Sequence, residues 1–279
     1  MKLELIIEPK QLEAQLEHAG LLIIDLCQQQ TYEQMHIPNA IHIAPAELLS
    51  GIPPASGKLP TLEQLSSLFM RIGYSPDKHI VVYDDEGGGW AGRFIWTLDV
   101  IGHTAYSYLN GGLHAWIREG HPVSKEVPDV QASKTTLTIN HEVIAELDEV
   151  LAALEDSNIK IWDARSAEEF AGVKVTALRN GHIPGAVNLD WLHTMDNDNN
   201  LRLLPMQELQ SKLEALGIDS GNTIITHCQS HHRSGLTYLI AKALGYKVKA
   251  YPGSWSEWGN EPDTPIETGT NTPQKNSHE

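Results

Sequence analysis

Thr223-Ile224-Ile225-Thr226-His227-Cys228-Gln229-Ser230-His231-His232-Arg233-Ser234-Gly235-Leu236 passes from an apolar β-branched run through a polar loop into an amphipathic run that ends at Leu244. The first run reads as a strand and the last as a helix, so a thiol stands where the strand hands over to the helix. Backbone N–H groups of such a loop, together with the positive end of the helix macrodipole, favour a thiolate over a thiol. His231, His232 and Arg233 are expected to add positive potential. In open α/β sheets ligands bind at the carboxyl ends of strands, and Cys228 follows its strand directly.

The rest of the chain repeats this arrangement. Leu22-Ile23-Ile24-Asp25 matches Lys160-Ile161-Trp162-Asp163, and His36-Ile37-Pro38-Asn39-Ala40 matches His182-Ile183-Pro184-Gly185-Ala186. Ile80 to Tyr83 matches Thr223 to Thr226, and Asn110-Gly111-Gly112 through Trp116 matches Pro252-Gly253-Ser254 through Trp258. A period of roughly 143 residues is domain-sized, so the chain is a tandem duplication. The spacing grows from 138 between Asp25 and Asp163 to 146 between Ile37 and Ile183, which places an insertion in 171–181.

Within each half, short apolar strands alternate with helical stripes. Leu12 and Leu16 follow Pro9; Leu62, Leu65, Leu68, Phe69 and Ile72 stop at Gly73. Ile144, Leu147, Val150, Leu151 and Leu154 form another stripe, and Leu209, Leu213 and Leu216 stop at Gly217. Strands interleaved with helices predict an α/β fold, each half a central parallel sheet flanked by helices. The reading divides the chain into 1–126, a linker over 127–141, a second domain over 142–265 and a disordered tail over 266–279, where Thr, Asn, Gly, Pro and Ser dominate.

The chain's 279 residues, 41% of them hydrophobic, suffice for two ordinary cores, and no run is long enough for a membrane span. The formal charge of −16 argues against nucleic acid and anionic membranes as partners. Two cysteines, with no signal-peptide pattern at the N-terminus, suggest a reducing cytoplasm.

Cys27 adjoins the Leu21–Leu26 strand and reads as a buried small hydrophobe, whereas Cys228 is followed by residues unsuited to a core. A C-x5-R loop cradles a phosphate with its arginine on two oxygens. Here Cys228 to Arg233 is C-x4-R, a smaller ring that favours a single sulfur or small anion over a phosphoryl group. Cys228 and His231 also have zinc-like spacing, but no second pair accompanies them, so no metal or other cofactor is expected.

Asp163-Ala164-Arg165-Ser166 with Glu168-Glu169-Phe170, Gly181-His182-Ile183-Pro184-Gly185-Ala186, and Tyr251-Pro252-Gly253-Ser254-Trp255-Ser256-Glu257-Trp258 resemble the signatures of the rhodanese family in both halves. The cysteine loop is similar to that of bacterial tandem rhodaneses of the Azotobacter and Pseudomonas kind. The resemblance implies an active second domain and a silent first one. Aligning Val82-Tyr83-Asp84-Asp85 on Ile225-Thr226-His227-Cys228 puts Asp85 in the nucleophile's place, followed by a flexible Glu86-Gly87-Gly88-Gly89 loop. It also implies that Arg93 reaches towards the active pocket, the alternative being an exposed helix arginine. Asp163, Arg165 and His182 are read as ion-pair and turn contacts, and Trp191 as a pocket wall or a packing residue.

The expected activity is sulfur transfer from thiosulfate to cyanide or a thiol through a Cys228 persulfide, with His231, His232, Arg233 and Arg93 binding substrate. 3-Mercaptopyruvate as donor, phosphatase or arsenate reductase chemistry, and a sulfur-carrier module are the alternatives. Partners would be the small-molecule donor and acceptor, or a protein sulfur acceptor.

Overall fold

The computed structural model describes residues 3–270. Strands β1 (Ile6–Ile7), β2 (Leu21–Asp25), β3 (Ala40–His42), β4 (His79–Tyr83) and β5 (Tyr106–Leu109) form a parallel sheet in the order β1-β5-β4-β2-β3. In the second half β6 (Ile159–Asp163), β7 (Val187–Asn188), β10 (Thr223–His227) and β11 (Lys247–Ala250) make a parallel sheet ordered β11-β10-β6-β7. Between them in sequence, β8 (Met195–Asp196) and β9 (Arg202–Leu203) form a small antiparallel pair. Parallel strands need crossovers. Helices α1 (Pro9–Glu13), α2 (Gln29–Gln34), α3 (Leu62–Arg71), α4 (Gly89–Val100) and α5 (Gly112–Arg118) serve the first sheet. Helices α6 (Leu147–Ala153), α7 (Ala167–Phe170), α8 (Met206–Ala215), α9 (Arg233–Ala243) and α10 (Ser254–Trp258) serve the second.

Local chemistry sets the helix ends. Thr61 and Gln64 exchange hydrogen bonds with each other's backbone at the start of α3, and Gly73 takes φ +67 after its last turn. Leu65, Leu68 and Phe69 face the core as the stripe predicts, while Leu62 and Leu151, at the margins of theirs, stay exposed. Helix α4 is buried almost throughout, because one side meets its own sheet and the other meets α9. The principal core is therefore shared: Phe94 and Leu98 pack in one cluster with Leu236, Leu239 and Ile240.

Paired contacts verify the duplication and locate its insertion. Tyr32 stacks on His36 at 4.0 Å and Phe170 stacks on His182 at 3.7 Å. Four residues separate the first pair and twelve the second, so the extra length lies in 171–181.

The strand register corrects one alignment. Asp25 pairs with Tyr83 as Asp163 pairs with His227. The Asp84 carbonyl accepts Leu113 N–H at 3.0 Å as the Cys228 carbonyl accepts Trp255 N–H at 3.0 Å. Asp84, not Asp85, is the counterpart of Cys228.

Residues 127–140 carry no helix or strand, yet they are tied down: Ser133 N–H donates to the Met70 carbonyl, Asn140 N–H to that of Val100, and Leu137 is buried. The expected tail begins too early. Glu267 pairs with His182 through both backbone groups, at 2.8 and 3.0 Å, and Ile266 packs on the second core. The remainder of that expectation, 271–279, lies outside the described residues. Among the described residues no helix is long and apolar enough to cross a membrane.

Candidate active site

Cys228 lies at the C-terminal end of central strand β10, fully buried, at the mouth of the loop that opens helix α9. Burial pushes its thiol pKa up, but the Arg233 charge, the Ser234 hydroxyl and N–H, and the His232 charge outweigh burial and leave it lowered. Cys228 is thus the thiol whose surroundings favour the thiolate. Cys27 is the inert one: burial and the charges of Asp25, Asp85 and Asp84 all push it up.

The loop is held from behind by the C-terminal motif. Cys228 N–H donates to Ser254 Oγ at 3.3 Å, Ser254 Oγ donates to the Tyr251 carbonyl at 2.8 Å, and Trp255 and Ser256 N–H groups donate to the Cys228 and Gln229 carbonyls. Ser254 sits at φ +53, where the first half has Gly112 at φ +52. A left-handed serine costs about 1 kcal/mol or more, so the hydroxyl is retained against backbone strain. The insertion also reaches this loop, since Gln229 Nε2 donates to the Thr176 carbonyl at 3.0 Å.

The four expected substrate ligands separate into different roles. Arg233 does lie near Cys228, but its guanidinium forms a two-pronged pair with Glu169 at 2.6 and 2.9 Å. The pair holds the Glu169 carboxyl at about 2: burial would raise it, and the Arg233 hydrogen bonds and charge overcome that. Glu169 was visible in the sequence only as part of a signature; its distance of 64 residues from Arg233 hid the partnership.

His231 was expected to be a cation and is not. It is fully buried, and burial with the nearby Arg93 and His232 charges pushes its pKa well below the ordinary value. Its Nδ1 lies 2.7 Å from Ser234 Oγ. A serine hydroxyl has one proton, so with that proton directed at the thiolate the His231 Nδ1–H donates to Oγ. His231 therefore acts through Ser234 as a neutral donor.

His232 is half-buried, hydrogen-bonded to Glu86 through Nε2, stacked on Trp90 at 4.3 Å and edge-on to Trp191 at 5.6 Å.

Arg93 is fully buried, which excludes the exposed-arginine reading. Its Nη atoms donate to the Gly57 and Leu48 carbonyls at 2.8 and 2.7 Å, and the guanidinium lies over Trp96. Burial lowers its pKa to about 9, with the Cys228 charge opposing. It reaches towards the site as a charge anchored to backbone carbonyls of its own half. Gly57, held by that anchor, abuts the active loop: a Cβ there would meet the Ser230 carbonyl oxygen at 2.2 Å.

Asp163 and Arg165 form the internal ion pair the sequence suggested, with Arg165 also donating to the Gly181 carbonyl at 2.8 Å. His227 beside them is fully buried, and burial lowers its pKa to about 4. In the first half Cys27 takes the slot of Arg165, its N–H donating to Asp25 Oδ1 at 2.8 Å as Arg165 N–H does to Asp163 Oδ1 at 2.9 Å. Without a cation there, burial leaves Asp25 with a raised pKa.

The corresponding loop of the first half is filled by its own residue. The fully buried Asp84 carboxylate accepts the N–H groups of Gly88 at 2.8 Å, Ala91 at 3.0 Å and Glu86 at 3.2 Å. Burial and the Glu86 charge raise its pKa to about 6 against those donors. Among the described residues no cluster of His, Cys, Asp and Glu could hold a metal ion.

One half thus carries a cysteine on a strand–loop–helix, and its copy has the same loop plugged by a carboxylate. That is the architecture of a duplicated α/β protein with a single thiolate site. The chain belongs to the rhodanese-like family, whose domain model matches residues 8–119 and 146–261. It is 52% identical over 266 residues to a thiosulfate sulfurtransferase of Azotobacter vinelandii, covering 95% of this chain and 97% of the relative. A thiosulfate sulfurtransferase of Pseudomonas aeruginosa is 48% identical over the same length and coverage. Among solved structures, the anaerobic ergothioneine biosynthesis enzyme from Chlorobium limicola shares the fold, with a TM-score of 0.86 at 20% identity over 95% of this chain and 70% of that one.

Proposed function

We propose that the protein is a thiosulfate sulfurtransferase working by double displacement at Cys228. The thiolate attacks the outer sulfur of thiosulfate; the S–S bond to the sulfonate breaks and sulfite leaves with its electron pair, so Cys228 becomes a persulfide. Cyanide, a small thiol or a protein thiol then takes the terminal sulfur and regenerates the thiolate. Ser234 N–H and Oγ and the Arg233 charge offset the negative charge at each stage. The observation that carries this reading is a buried thiol whose pKa is nevertheless lowered, in a ring one residue shorter than a phosphate cradle. Thiosulfate as donor follows the two bacterial relatives. Two free cysteines suit a reducing compartment, and we place the protein in the cytoplasm.

Purified protein should form thiocyanate from thiosulfate and cyanide, and do so faster than from mercaptopyruvate, with no release of phosphate from an aryl phosphate. Thiosulfate treatment should add one sulfur to the peptide containing Cys228, and Cys228→Ala should abolish both. Full activity in Cys228→Ala would overturn the assignment.

A further inference from the structure

The Glu86-Gly87-Gly88-Gly89 loop, expected to be flexible, is packed together with Trp90 against the active half. Each glycine sits where a side chain has no room. A Cβ on Gly87 would meet Met195 Sδ at 2.6 Å, one on Gly88 would meet Leu236 Cδ1 at 2.8 Å, and one on Gly89 would meet His232 Nε2 at 2.5 Å. Gly87 and Gly88 also take φ +100 and +99. The run therefore turns sharply and brings backbone to within contact of His232. Its two ends carry the side chains that grip that ring: the Glu86 carboxylate accepts Nε2–H, and the Trp90 indole lies flat on its face at 4.3 Å, with the rings 26° apart. Trp191 of the active half closes the edge at 5.6 Å.

We infer that the loop of the silent half is a positioning element for the reaction of the active half, Glu86 and Trp90 clamping His232 beside Cys228. The inference rests on the sulfur-transfer reading and extends it. His232 is the residue four along from the nucleophile, in a loop where Gln229, His231 and Arg233 take their hydrogen bonds from within the active half, from Thr176, Ser234 and Glu169. Among these, His232 is the one hydrogen-bonded by a side chain of the other half, which meets His231 through the edge of the Trp96 ring at 4.5 Å. A half-buried imidazole on a tight loop has several rotamers, and a carboxylate with a stacked indole selects one. The first domain holds Asp84 in the nucleophile's place, and its loop supports that of its partner.

The test compares Glu86→Ala, Glu86→Gln, His232→Ala and the double variant Glu86→Ala/His232→Ala, with Glu33→Ala as a control for removing one exposed acid from the same half. Thiosulfate kinetics and the rate of Cys228 alkylation by iodoacetamide are read, the second independent of any sulfur donor. Losing a charge-assisted hydrogen bond corresponds to roughly tenfold, so Glu86→Ala should lower kcat/KM for thiosulfate by about that factor. Glu86→Gln keeps an acceptor oxygen and should restore most of it. The double variant should be no slower than His232→Ala, because Glu86 acts through that ring. Multiplying effects in the double variant would overturn the inference, as would glutamine failing as badly as alanine, which would assign Glu86 a role by charge. Should Glu86→Ala fail to fold, Gly89→Ala crowds the ring at 2.5 Å and the Glu86 carboxylate at 3.0 Å and so disturbs the clamp with both side chains retained; wild-type kinetics there would also overturn it. If the wild type alkylates at Cys228 but does not turn over thiosulfate, the proposed donor is wrong, and the order of the variants in alkylation judges the clamp by itself.

Discussion

Adding one methyl group at the crossing of α4 and α9 should loosen the whole molecule. Gly92 and Gly235 meet there, backbone against backbone. A Cβ built on Gly92 lies 2.3 Å from the Gly235 carbonyl carbon and oxygen, and one on Gly235 lies 2.3 Å from Arg93 N and 2.5 Å from the Gly89 oxygen. An ordinary Cβ contact lies at 3.4–4 Å. No rotamer can relieve a clash of Cβ with backbone, so in Gly92→Ala or Gly235→Ala the helices must part by about 1 Å, the shortfall from ordinary contact. Overpacking of this kind costs typically about 1–3 kcal/mol. Parting the helices also stretches bonds that cross the same seam, notably those from Tyr238 and Lys242 to Asp99 at 2.7 and 2.6 Å. A total of about 2–4 kcal/mol should lower Tm by roughly 5–15 °C at this chain length. Calorimetry or dye-based melting measures it, with Gly221→Ala, which would meet only Asp219 Oδ1 at 3.1 Å, as the neutral control. If both seam variants melt within about 2 °C of wild type, the halves do not press together as described, and the shared-core argument fails with them.

Native protein should be alkylated at Cys228 with a pH midpoint below the free-thiol value of about 8.5, while Cys27 reacts only after unfolding; a native adduct on Cys27 would contradict its acidic, buried setting. Acid should destabilise the protein in two stages. The unfolded chain takes up protons at His227 and His79 near their ordinary values, whereas the folded one does so only at about 4, so stability falls as pH drops through that interval. Glu169, held at about 2, adds stability that is present above the ordinary carboxylate value and lost as pH falls below it. Urea midpoints measured against pH should show both, and Glu169→Gln should flatten the lower stage. Ser254→Gly should raise Tm, because glycine relieves the strain of φ +53, and lower turnover, because the hydroxyl behind Cys228 is lost. A variant both less stable and fully active would reverse that account.

Much of this was legible in the chain because it is written in local pattern. Apolar runs of strand length, stripes at helical spacing and the glycines that end them fixed two copies of a parallel α/β unit, and a jump in the spacing between copies located the insertion in 171–181. The contrast between Cys27 and Cys228 was equally readable, since one follows an apolar run and the other opens a polar loop. Position along the chain could not settle the nucleophile's counterpart. From Asp84 to Gly92 is one residue longer than from Cys228 to Gly235, so an alignment carried back from the helices lands on Asp85, and only the pairing of Asp25 with Tyr83 shows the slip. Nor could it show which charges survive: His231 is neutral because it is wholly desolvated, and Arg233 is engaged because Glu169 comes to it from another element. Sequence determines periodicity, turn chemistry and the order of elements, all properties of near neighbours. Desolvation and the identity of a charge's partner depend on atoms brought together through space, within the second half for Arg233 and Glu169 and across the two halves for His232 and Glu86.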